Sequence, residues 1–348
     1  MKAFVAWFAL AVPFAALAQP LLPGAGTTSA KPEMTAEQQL TQYRHDQINL
    51  LALRADPPSL LAAALLAAPD AQDAKRPAVL KTPALLERAQ RFGADSALVW
   101  WVTAATQCKD KLKPCPGTDT LQKLEQLDAT NAAVWALSLS RAQQAGDDIT
   151  ARAALSSTAQ AKRYDDYFGT IIAMIYRAET ILPMRSELLN ATGQDASVEG
   201  YRLTTAAGIA AALVQPENAA IHKACKTVDA SDTARVEDCI RAARSMAASP
   251  SLYAEQIGID LLESLSPPGQ GRDAAHAQAR GLAWRMLQIS RLGGRLADDT
   301  RVTRVYLQAL LASGDESAAV DAVLRSQGVS LQPPSGWQPE AGAKPSLP

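Results

Sequence analysis

The chain has 348 residues and carries 34 Lys and Arg against 35 Asp and Glu, a formal net charge of −1. That balance argues against a nucleic-acid surface, which needs a clustered basic excess. Alanine fills about one position in five, β-branched runs are scarce and no alternating strand pattern persists, so the expected class is all-α.

Residues 1–18 have the layout of a secretory signal peptide. Lys2 supplies the positive start, FVAWFALAVPFAAL the apolar run, and Ala16-Leu17-Ala18 a small-residue site with the cut after Ala18. The remainder is therefore expected to be periplasmic or secreted. No cysteine follows the cut to carry a lipid, and no later stretch reaches the ~20 apolar residues of a membrane span. Residues 19–34 are rich in Pro and Gly and read as a flexible linker. A helical domain is expected over 35–328, followed by a Pro-rich extended tail over 329–348.

Thr35 through Gln38 has capping-box spacing and opens a helix to about Arg54. Pro57, Pro58 and Ser59 open a short one to Ala68, and Thr82-Pro83 opens a third that ends at Gly93. Asp95 or Ser96 starts a fourth, which holds Trp100 and Trp101; adjacent residues cannot share one helical face. Leu121, Leu124 and Leu127 line the next. Asp128, Thr130 and Asn131 break it and cap a helix over 132–145. Gly146 ends that helix in the left-handed conformation, and Asp147-Asp148 begins an antiparallel partner. Phe168, Ile171, Ile172, Ile175 and Tyr176 then form a wide apolar face. Aromatics are densest between Trp100 and Tyr176, which is the expected packing centre. Further helices are expected at about 197–214, 217–227, 234–248, 251–265, 273–291, 300–313 and 316–326. Ser249-Pro250 reads as a helix start, and Pro267-Pro268-Gly269 and Gly293-Gly294 as breaks.

Trp135, the Gly146-Asp147 turn and Ala151 together resemble the tetratricopeptide helix hairpin, and Gly314-Asp315 with Ala319 resembles a second copy. The resemblance implies antiparallel hairpins stacked as a tetratricopeptide-like α-solenoid or an irregular helical array. Such stacks bind a protein or peptide partner on an extended concave surface, as a non-catalytic scaffold or adaptor. Inner-helix positions would be exposed: Ala133, Ala136, Ser140, Gln143 and Gln144 in the first copy, Arg301, Arg304 and Gln308 in the last. The arginines could hold a carboxylate.

Cys108, Cys115, Cys225 and Cys239 are an even set in a chain read as exported, so disulfides are expected. Four cysteines allow three connectivities. Proximity favours Cys108–Cys115 and Cys225–Cys239. A metal reading of His222, Cys225 and Cys239 lacks a fourth ligand and fits no standard zinc spacing. No cofactor-binding loop and no catalytic motif is present, and His45, His222 and His276 are scattered. Two other functions stay open. Glu263-Ser264 matches a catalytic dipeptide of lytic transglycosylases, which would make the chain an exported enzyme acting on cell-wall glycan. The basic loop 108–115, with Lys109, Lys111 and Lys113, would suit an inhibitor or immunity-type protein.

Overall fold

A computed structural model describes residues 34–67, 82–107, 115–192, 197–213 and 216–339. Among them are α-helices and one 3-10 helix, with an isolated parallel bridge between Asn131 and Arg163 as the only β-type pairing. The first helices are α1 (Ala36–Ala52), α2 (Pro57–Ala67), α3 (Thr82–Phe92), α4 (Ala97–Gln107) and α5 (Thr118–Leu127). The central group is α6 (Ala132–Ala145), α7 (Asp148–Gln160), α8 (Phe168–Glu179), α9 (Val198–Leu213), α10 (Pro216–Lys226) and α11 (Thr233–Ala247). The last are α12 (Leu252–Leu265), α13 (Gln270–Arg291), the single turn α14 (Arg295–Asp298), α15 (Thr300–Ser313) and α16 (Glu316–Ser326). The 3-10 helix spans Ser186–Thr192. The chain separates into Met1–Thr35 and Ala36–Pro348, and all of these helices belong to the second unit. The expected leader lies outside the described residues.

The two Gly-Asp turns are built alike. Gly146 and Gly314 take left-handed φ values of 68° and 70°, where a side chain would be strained. In each the next residue caps the returning helix: Asp147 accepts the Thr150 amide and Asp315 the Ala318 amide. The results are the antiparallel pairs α6–α7 and α15–α16. Other sequence neighbours pair similarly, α2 with α3, α8 with α9, and α11 with α12.

The pairs do not stack in chain order. α10 packs on α6 and α11 on α7, although α8 and α9 intervene in the sequence. α8 instead lies against α2, α9 and α15. The result is an irregular helical array. Its core is continuous from Ile48 in α1 to Leu324 in α16. Ile171, Ile172 and Ile175 of α8 are fully buried in it. Trp101 is buried too, its ring centroid 5.2 Å from that of Tyr167. Trp100 takes the other side of α4 and donates its indole N–H to Ala94 O at 2.9 Å.

Helix α12 begins two residues later than the Ser249-Pro250 signal suggests, with Ser251 as its N-cap. The reason is tertiary. Glu316 Oε2 accepts the Leu252 amide at 2.9 Å, while Pro250 O accepts the amides of Glu316 and Ser317. The starts of α12 and α16 thus cap each other. On its other face α12 meets α11 at Gly258, where an added Cβ would lie 2.3 Å from Ala247 N and 2.6 Å from Ala243 O. Backbone cannot yield as a side chain can. Gly258→Ala is expected to cost about 2–3 kcal/mol in urea unfolding, and an unchanged midpoint would show that these helices are not so close.

Candidate functional site

A cleft lies between α12 and α13. Gln256, Asp260 and Glu263 are spaced four and three residues apart, so they share one face of α12. Asp273, His276 and Arg280 do the same on α13. Where the two faces meet, the small side chains of α13 leave a volume of about 510 Å³ above Ile259 and Leu282. Across it, His276 Nδ1 lies 2.7 Å from Glu263 Oε1. The imidazole is half-exposed and the carboxylate is largely covered. The pair fixes the ring and leaves its second nitrogen available.

Gln338 and Pro339 form the rim of this cleft. They arrive there because residues 329–339 lie against the array. Val329 donates its amide to Leu324 O at 2.9 Å, and Val329 and Leu331 pack on the core. Trp284 of α13 donates its indole N–H to Ser330 O at 2.8 Å. Trp337 stands edge-on to Trp284 with centroids 5.3 Å apart. One indole thus holds both ends of a Pro-containing irregular segment. Beneath it, the partly buried Arg285 pairs with Glu255 and lies 3.4 Å from Asp321, tying α13 to α12 and α16.

The sequence-derived surface on α6 is covered along most of its length, with Gln143 half-buried and Gln144 exposed at its end. Ala133 and Ala136 are fully buried and Ser140 is 5% exposed. Gln144 donates to Ser140 Oγ and accepts the Cys115 amide, and Gln143 donates to Ala220 O of α10 at 3.1 Å. Small residues on this face let α10 approach, so the face expected to bind a partner binds the chain itself. Arg301, Arg304 and Gln308 do lie exposed along one face of α15. Asp299, the α15 N-cap, is 3.8 Å from Arg301 Nε.

Cys225 and Cys239 are joined, linking α10 to α11. The bond removes both thiolates from any site with His222. No group of three potential metal ligands occurs among the described residues. Cys108 and the lysines of the 108–115 loop lie outside the described residues. No described helix is long and apolar enough to cross a membrane.

Sequence reading named Glu263 and His276 separately, but nothing in their spacing announces the contact, which forms across the α12–α13 junction. Buried acids were missed for the same reason. Glu179 is 4% exposed and Asp166 fully buried, and burial pushes their carboxyls up to about 8 and about 6. No family model, curated protein or solved structure matches this chain.

Proposed function

We propose that the chain is an exported, tetratricopeptide-like helical-array protein that binds an extended peptide or protein segment without catalysis. The observation that carries this reading is residues 329–339. A non-helical, proline-containing stretch of the chain is already held on α13 by an indole donor and an aromatic edge. The groups that hold it are those that hold foreign peptides: a side-chain donor to a backbone carbonyl, and aromatic area beside a cleft. The two Gly-Asp hairpins support the repeat-like part of the reading. The Cys225–Cys239 disulfide supports export, since such bonds persist in oxidising compartments.

The α15 face supplies the charge for a partner carboxylate. Replacing Arg301 and Arg304 by Ala is expected to weaken a partner cross-linked and captured in a bacterial periplasm by about ten-fold. Both side chains are exposed, so folding should be unaffected. Unchanged affinity would remove α15 from the binding surface.

One observation favours a second reading, an exported enzyme acting on cell-wall glycan. Glu263 lines the α12–α13 cleft and is paired with His276. Turnover of purified peptidoglycan that is lost in Glu263→Gln would establish it, and no turnover would leave the binding reading alone.

A further inference from the structure

A second cavity has a different chemistry. Two hairpins that are far apart in sequence, α6–α7 and α10–α11, enclose about 320 Å³ lined mainly by polar atoms. Arg152 of α7, Lys223 of α10 and Arg235 of α11 border it, with Asp148 of α7 as the single carboxylate in the lining. Three cations less one carboxylate leave a net charge of +2 on the wall.

The buried part of this charge is under-partnered. Arg235 donates through Nη2 to Ala224 O at 3.1 Å. Its Nε is enclosed and has no hydrogen-bond acceptor. An enclosed guanidinium donor without an acceptor is costly. Arg152 has only a long contact, 3.8 Å to Asp232. Lys223 has no ion-pair partner among the described residues. Gln143 and Thr227 add neutral polar groups to the wall. The Cys225–Cys239 bond fixes α10 to α11 and so sets Lys223 against Arg235.

We propose that this cavity is an oxyanion site that takes a phosphate group, either free or carried on a small molecule. A tetrahedral dianion matches the net charge of the wall, and its oxygens can accept from the guanidinium edge of Arg235 while Lys223 and Arg152 close over it. The site is separate from the α12–α13 cleft and does not depend on the peptide-binding reading.

The test is calorimetric titration of the oxidised full chain with inorganic phosphate and, separately, with glycerol phosphate, at pH 8 and low ionic strength. Saturable binding at one site is expected. Lys223→Glu and Arg152→Glu change exposed side chains and should each weaken it by about ten-fold or more. Arg235→Gln should abolish it. Arg91→Glu, which changes charge equally at an exposed position on α3, should alter it by less than about two-fold. Tighter binding of glycerol phosphate would assign the site to an organic phosphate, and equal or weaker binding to the free ion. The proposal is overturned by no saturable binding, or by equal weakening in Lys223→Glu and Arg91→Glu, which would reveal only a diffuse field.

Discussion

Replacing Asn131 by alanine is expected to destabilise the protein by about 3–5 kcal/mol. Asn131 is fully buried, and its short side chain makes four hydrogen bonds. Oδ1 accepts the Ala133 amide at 3.1 Å, which caps α6, and the Asp165 amide at 3.0 Å. Nδ2 donates to Asp128 Oδ2 at 2.9 Å and to Asp165 O at 2.8 Å. Losing a cap alone costs ~1 kcal/mol. Each further polar group left buried and unpaired adds ~1–3 kcal/mol. The partners are themselves committed. Asp128 accepts both Arg163 Nη2, at 2.8 Å, and the Tyr167 hydroxyl, at 2.6 Å. Tyr167 is held at a left-handed φ of 58°, unusual for a bulky residue, and its ring packs on Trp101. The network therefore joins the start of α6 to the segment that launches α8. Asn131→Asp should not rescue it, because a carboxylate oxygen would face Asp165 O and the Asp128 carboxylate. Equilibrium urea unfolding checks both variants. A loss below 1 kcal/mol for Asn131→Ala would mean that water can replace the network.

Much of the helical order was legible because its causes are local. The leucines of α5, the Asn131 cap and the Gly-Asp turns each act within a few residues, and the helices form where those signals stand. The use of each face was not legible. Ala133, Ala136 and Ser140 suit an open groove and an intimate helix contact equally well, since both require small side chains. Only the position of α10 decides between them, and α10 is brought there past three intervening α-helices. Both cavities also arise between elements whose contact no periodicity encodes. Arg152 and Arg235, or Glu263 and His276, become neighbours only through the fold.

The same hidden convergence predicts that the protein loses stability as pH rises from about 4.5 to 8. Burial raises the carboxyls of Asp166 to about 6, Glu316 to about 7 and Glu179 to about 8. In the unfolded chain these groups titrate near 4. Between those limits the folded state holds more protons than the unfolded state, so the slope of unfolding free energy against pH is negative. Their contribution is complete below about pH 4 and is lost as pH rises through 6 to 8. Asp166 and Glu255 also repel a charged Glu316, so each ionisation makes the next harder. Arg202 and Arg44 favour charged Glu179 but do not outweigh its burial. The capping acids Asp147 and Asp299 act oppositely, because hydrogen bonds to their charged forms lower their pKa values. Their contribution fades only below the ordinary carboxylate range, which places the stability maximum near pH 4 to 5. Each carboxyl's share of the loss toward pH 8 is on the order of a few kcal/mol. Glu179→Gln keeps the size of the side chain and removes its proton. It should match the parent at pH 5 and melt at a higher temperature at pH 8. Thermal melts of both proteins across this range provide the check. A parent melting temperature that rises from pH 5 to pH 8 would mean that these carboxylates are already ionised in the folded array and compensated there.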